Sequence, residues 1–201
     1  MLSPAALQPR LEGVFGFPVT PFRRDGSLHP EQLYRHVAWM KGTGVHAIFV
    51  CAGTGEFFNL DVEEFRDAVA AAVAAAEGAL PVLAGCGYST AIATRFARAA
   101  EEAGADGLLL LPPYLVQPEQ EGLYRHVRSI ADRTACSLIL YHRDNGLYST
   151  RTVERLAELE TVVGFKDGHG NLEQFGRMVL ALGDRLAYMN GMPTAEMTFP
   201  S

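Results

Sequence analysis

Nothing in this chain stays apolar for the roughly 20 residues that a membrane-spanning helix needs. Its start, Met1 to Glu12, lacks the basic head and apolar core of a secretory signal. Basic residues are scattered and outnumbered, giving a net charge of −6, which argues against nucleic acid as a partner. Cysteine is scarce. Cys51, Cys86 and Cys136 are odd in number, far apart and set within or beside apolar runs. That excludes a disulfide framework and a zinc ligand set, and fits reduced, mostly buried thiols in a cytoplasmic protein. No proline/serine linker, low-complexity tract or charge run marks a domain boundary. What is present, 48% hydrophobic and 20% charged residues, suits one soluble globular domain or a large part of one.

Short apolar runs recur along the chain with helical patterns between them. They are Gly13 to Phe17, Val45 to Cys51, Leu80 to Gly85, Gly107 to Leu111, Ser137 to Tyr141, Val162 to Lys166 and Leu186 to Asn190. Each lacks alternation, as strands buried on both faces of a parallel sheet do. Their spacing leaves room for a helix and two loops in every interval. Pro30 to Lys41 carries Leu33, Val37 and Met40 at helical spacing, and Trp39 with Tyr34 is expected to pack this helix on the sheet. Asp61, with Glu64 three residues on, predicts a capped start for an alanine-rich helix over Val62 to Glu77. Thr90 to Ala103 is a further helix, stopped at Gly104.

Repeated βα units allow a doubly wound sheet or a barrel. The first would place a glycine-rich phosphate loop after its first strand. Here that strand is followed by Pro18-Val19-Thr20-Pro21-Phe22, which cannot supply a row of backbone donors. The expectation is therefore an α/β fold, a (β/α)8 TIM barrel, with its chemistry on the loops after the strands. Those loops hold Gly53-Thr54-Gly55-Glu56, Pro112-Pro113-Tyr114, Tyr141 to Asn145, Lys166-Asp167 and Gly191. Tyr114 could wall a pocket or pack in the core. Seven strand candidates are one short of a closed barrel, and the sequence stops at Thr198-Phe199-Pro200-Ser201 where a seventh helix would begin. Typical barrels run to about 250 residues. The expectation is a single barrel domain over residues 1–201, truncated after its seventh strand.

Lys166 is the residue that asks for chemistry. It closes the apolar run Val162-Val163-Gly164-Phe165, where an ammonium must leave water. Burial disfavours the charged form, lowers the pKa and makes the amine a nucleophile toward carbonyl carbon. Tyr141, at the end of the preceding run, is a candidate proton carrier beside it. The plainer alternative is a lysine that snorkels from a strand end into solvent.

The chain resembles the dihydrodipicolinate synthase/N-acetylneuraminate lyase family of class I aldolase-type barrels. The resemblance is carried by Phe17-Pro18-Val19-Thr20-Pro21-Phe22, Gly53-Thr54-Gly55-Glu56-Phe57-Phe58, Leu111-Pro112-Pro113-Tyr114-Leu115-Val116, Tyr141-His142-Arg143-Asp144-Asn145, Gly164-Phe165-Lys166-Asp167-Gly168 and Gly191 to Glu196. It implies that Lys166 forms the Schiff base and that Tyr141 moves protons. It assigns the 2-oxo acid carboxylate to Thr54 with the amides around Gly53 and Gly55, and a pocket-lining role to Gly191. Gly53 and Leu115 stand where the synthase branch keeps a threonine–tyrosine proton relay, and Asn145 and Gly146 where it keeps an arginine. The resemblance is therefore to the family's sugar-acid dehydratase branch, although His142 replaces that branch's asparagine.

The implied substrate is a six-carbon 2-oxo-3-deoxy sugar diacid, with no cofactor beyond the covalent imine at Lys166. The implied assembly is a homo-oligomer, a tetramer by resemblance, with no nucleic acid or membrane partner. Arg143 is a candidate for the distal carboxylate or a structural partner of Asp144. Asn145 and Asp144 orient hydroxyls or shape the loop. Glu56 is read as structural, at the start of a helix after the Thr54 loop. The competing readings are another 2-oxo acid lyase of the same family, a metal-dependent lyase using His142, Asp144, Asp167 and His169, and an inactive or merely binding fragment.

Overall fold

The computed structural model describes residues 1–113 and 115–191. The readings placed on Tyr114 and on Met192 to Glu196 lie outside the described residues. A short helix α1 (Pro4–Leu7) precedes a run of alternating strands and helices: β1 (Phe15–Gly16), α2 (Pro30–Lys41), β2 (Ala47–Val50), α3 (Val62–Ala76), β3 (Val82–Cys86), α4 (Thr90–Glu102) and β4 (Gly107–Leu110). The series continues through α5 (Gln120–Ala131), β5 (Ser137–His142), α6 (Thr150–Ala157), β6 (Val162–Asp167), α7 (Leu172–Leu182) and β7 (Ala187–Asn190). All seven strands are parallel, and their order in the sheet is their order in the sequence. A doubly wound sheet would reverse that order at a switch point, whereas a barrel keeps it.

The two faces of the sheet bury different cores. Phe49, Leu83, Leu109, Ile139, Tyr141, Val163 and Met189 share the inner face. Ile48, Val50, Ala84, Leu108, Leu110, Leu138, Leu140 and Phe165 share the outer face with the helices. Small side chains seat those helices closely: Ala68, Ala72, Ala75 and Ala76 of α3 and Ala93, Ala97 and Ala100 of α4 are buried. The Asp61–Glu64 capping box forms, and Ser89, Ser149 and Asn171 cap α4, α6 and α7. The three thiols are free and buried. Leu7 of α1 and Leu11 join the inner core, so the amino-terminal segment packs on the sheet's concave side.

Two local expectations fail. Trp39 is 65% exposed rather than packed on the sheet, because Leu33 and Val37 define the buried stripe of α2 and position 39 falls outside it. Glu56 does not open α3. It adopts a left-handed conformation, with φ of 51°, ahead of a single 3-10 turn over Phe57–Asn59. Its carboxylate accepts from Asn59 Nδ2 at 2.7 Å, so it serves that turn and not a helix dipole.

Candidate active site

Register decides which strand-end residues meet. Between β5 and β6 the pairing runs Leu138 to Val162, then Ile139 to Gly164, so Val163 is an extra residue in β6. From there Tyr141 lies opposite Lys166 and His142 opposite Asp167. Without that bulge Lys166 would pair with His142 and turn to the helix side, since a one-residue slip exchanges the faces. Gly164 accommodates the local crowding: a Cβ there would lie 3.1 Å from Ile139 Cγ1 and 3.3 Å from the Ala187 carbonyl oxygen.

Lys166 therefore projects into the inner side, with its Nζ 4.4 Å from the ring centres of both Phe17 and Tyr141. Phe17 is held by stacking on Phe49 at 4.8 Å. The π faces compensate part of the desolvation of an ammonium, but no described carboxylate forms an ion pair with it. Burial, with the like charge of Arg143 second, pushes the amine down to about 8. The lysine does not snorkel out to water.

Two glycines make room for this pair. A Cβ on Gly191 would lie 2.5 Å from the Asp167 carbonyl oxygen and 3.1 Å from Lys166 Cε. One on Gly168 would lie 2.6 Å from Tyr141 Cε2 and 3.2 Å from its Oη. Gly191 was expected at the site; Gly168 was not, and its signal was only its place directly after Lys166-Asp167. Arg143 reaches back over Tyr141, its Nη1 donating to Oη at 3.4 Å, while its Nε donates to Asp144 at 2.6 Å. The Asp144 ion pair of the structural alternative is present, and the same guanidinium also reaches Tyr141.

Beside the pair opens a cleft of about 760 Å³, lined by Gly53, Phe57, Leu111, Pro113, Arg143 and Asn145 among others. Lys166 and Tyr141 do not line it; Arg143 connects it to them. A second hollow of about 930 Å³, between the segment around Pro9 and β7 with α7, is larger but lies away from Arg143. Chemistry favours the first as the substrate approach, because it is the one that Arg143 and the Gly53 loop share. In that loop the amides of Gly53, Thr54 and Gly55 have no backbone acceptor among the described residues. Thr54 itself is exposed. The loop is pinned from below by Thr20 Oγ1 donating to the Gly55 carbonyl at 2.6 Å, and by Gly85, where any Cβ would collide with the Cys51 carbonyl. Asn145 ties the β5 loop to the β4 loop, Nδ2 donating to the Pro113 carbonyl at 3.3 Å. That is the loop-shaping alternative.

Of the four residues considered for a metal, three have other partners, and His169 packs its ring 5.6 Å from that of His142. His142 is buried on the outer face, where its Nδ1 accepts from the Tyr148 amide at 3.0 Å. Asp167 accepts from the His169 and Gly170 amides, both at 3.1 Å. Asp144 pairs with Arg143. Among the described residues no three histidine, cysteine or carboxylate side chains gather as a ligand set.

Comparison with known proteins accords with this geometry. The model of the dihydrodipicolinate synthetase family matches residues 10–201. The chain is 48% identical over 208 residues to the probable 5-dehydro-4-deoxyglucarate dehydratase of Streptomyces griseus, covering 100% of this chain and 65% of that protein. It is 44% identical to the probable 5-dehydro-4-deoxyglucarate dehydratase of Bacillus licheniformis, covering 94% and 62%. Among solved structures, the dihydrodipicolinate synthase of Aquifex aeolicus superposes with a TM-score of 0.83 at 32% identity, covering 89% of this chain and 62% of that one. The pyruvate complex of the chloride-inhibited enzyme from Acinetobacter baumannii gives 0.83 at 33%, covering 90% and 63%. The chain thus spans somewhat under two thirds of these relatives' length, and the barrel order of its strands, the family model and the identities agree: it belongs to the dihydrodipicolinate synthetase family.

Proposed function

We propose that this chain carries the catalytic pair of a Schiff-base lyase, and that the whole protein converts 5-dehydro-4-deoxy-D-glucarate to 2,5-dioxopentanoate, carbon dioxide and water. The observation that supports it most is Lys166 itself: a partly buried amine with no ion pair among the described residues, pushed down to about 8, on the inner face opposite Tyr141. An amine in that state has about a tenth of its population neutral at pH 7, against well under a thousandth for an ordinary lysine, and that fraction can attack a ketone. The relatives' names suggest the substrate, and the amide-rich Gly53-Thr54-Gly55 turn suits the carboxylate of a 2-oxo acid. A related structure is described with pyruvate bound, which is such an acid.

In this reading the Lys166 nitrogen adds to the ketone, and Tyr141 passes protons so that the ketone oxygen leaves as water and an iminium forms. The iminium acidifies the adjacent methylene. Loss of its proton gives an enamine, whose electrons expel the β-hydroxyl as a second water. The conjugated iminium then accepts the electron pair released as the distal carboxylate departs as carbon dioxide. Reprotonation and hydrolysis return one water, release the dioxo acid and free Lys166. Arg143 and Asn145 line the cleft that the distal half of the substrate would enter, and Gly191 keeps the lysine stem clear. Residues 1–201 form part of a single barrel domain, assembled in the whole protein as a homo-oligomer in the cytoplasm.

Borohydride trapping with pyruvate, followed by peptide mass spectrometry, tests this. The expected product is a reduced adduct on Lys166. A folded protein that yields no adduct there would sink the reading.

A further inference from the structure

Strand alternation explains how Arg143 comes to face the chemistry. β5 ends at His142, whose ring is buried on the outer face, so the next residue returns to the inner side beyond Tyr141. There its Nη1 donates to Tyr141 Oη at 3.4 Å, and its Cζ stands 5.2 Å from the centre of that ring. Its charge also reaches Lys166 and acts on the amine in the same direction as burial. Its Nε is held by Asp144, which keeps a left-handed backbone, φ of 49°, uncommon outside glycine. A salt bridge serving only the loop would need neither the phenol nor a lysine of like charge nearby.

We propose that Arg143 is a positioning residue for the Lys166–Tyr141 pair, and that Asp144 sets how much of the guanidinium's charge the pair feels. This rests on the Schiff-base reading above. A neighbouring cation favours the neutral amine of Lys166, and the Nη1–Oη contact holds the phenol beside it. Both effects prepare the first step, in which the amine must be neutral to form the C–N bond and the phenol oxygen must stand where it can exchange protons with the departing ketone oxygen. Asp144 works against the first by neutralising part of the charge. Among the described residues the other surroundings of Lys166 are neutral: Phe17 after β1, Met189 opposite it on β7, and Gly191. Asp167, the next residue in β6, turns to the outer face and accepts backbone amides there.

The composition makes the test clean. Lys41 and Lys166 are the only lysines in the sequence, so reductive methylation with ¹³C-formaldehyde labels two side chains and the amino terminus. The Lys166 titration can then be followed by NMR. Arg143→Gln is expected to raise its pKa by about one unit, Asp144→Asn to lower it, and Arg143→Lys to leave it depressed. The pH profile of pyruvate trapping on Lys166 should move with it, making Arg143→Gln about tenfold slower on the acid limb. An unchanged Lys166 titration and trapping profile in Arg143→Gln would overturn the proposal, while wild-type trapping left the Schiff-base reading intact. Absence of trapping in the folded wild type would overturn both. If Arg143→Gln fails to fold, Asp144→Asn decides: a lowered pKa supports the proposal and an unmoved one rejects it.

Discussion

The inner and outer sides of the β5–β6 ladder end in neighbouring residues with opposite circumstances. Tyr141 and Lys166 face each other inward; His142 and Asp167, one residue on in each strand, face each other outward. The outward pair is tied down. His142 accepts the Tyr148 amide and packs its ring 5.4 Å from Phe165, while Asp167 accepts two amides of the loop after β6. The inward lysine has aromatic faces and a like charge for company, with no carboxylate paired to it among the described residues. So the two strands carry a destabilised group on one side and the hydrogen bonds that fix its loops on the other. Strained chemistry and its scaffold are separated by one residue of pleat, not by distance along the chain.

Replacing Lys166 is the most forceful way to break that contrast. Lys166→Met keeps the stem's volume, removes the nucleophile and should abolish imine trapping completely. Its effect on stability should have the other sign. The folded-state amine titrates at about 8 against an ordinary 10.5, so the folded protein resists protonation more than the unfolded chain does. The resulting penalty is fully present below about pH 8 and fades as pH rises toward 10.5, where neither state is charged. It amounts to at most about 3 kcal/mol. Denaturant unfolding should therefore show wild-type stability gaining over pH 8 to 10.5 relative to Lys166→Met, with the variant more stable at pH 7. A variant less stable at pH 7 would mean that Lys166 is comfortably housed.

Asp167→Ala probes the outward side and should do the reverse. It leaves the His169 and Gly170 amides without their acceptor beside a buried position, at a cost of about 1–3 kcal/mol in urea unfolding. Trapping on Lys166 should survive in the folded fraction. A stability equal to wild type would show that solvent replaces those bonds and that the outer side is not a scaffold.

Much of this arrangement was legible in the sequence. Seven unalternating apolar runs at βα spacing are what a parallel barrel sheet requires, and Asp61 with Glu64 marked the start of α3 to the residue. Lys166 and Tyr141 stood out because an amine and a phenol at strand ends need a reason. The bulge at Val163 could not be seen. In Val162-Val163-Gly164-Phe165 both faces are buried, so no alternation reveals which residues turn inward, and only Gly164 hints at a local irregularity. The inward packing of Leu7 and Leu11 was hidden for a similar reason. A four-residue helix has too few apolar positions to show a face, and its burial depends on a sheet assembled from distant strands. Trp39 misled because a large aromatic suggests burial, whereas helix geometry put it outside the stripe set by Leu33 and Val37.

His142 gives the finest test of the two-sided picture, since it sits beside the phenol in sequence and across the sheet from it in space. The asparagine expected at this position from the dehydratase branch still offers a carbonyl oxygen to the Tyr148 amide, the bond that His142 Nδ1 now accepts. His142→Asn should therefore lose packing against Phe165 and His169 but keep that bond. The expected cost is about 1 kcal/mol by urea unfolding. Burial also keeps the imidazole pKa below its ordinary value, so little histidine charge is present near pH 7 for Lys166 to sense. The pH profile of trapping should accordingly coincide with wild type. A displaced profile would show that the outer face reaches through the sheet to the amine, and that the pleat does not insulate the chemistry from its scaffold.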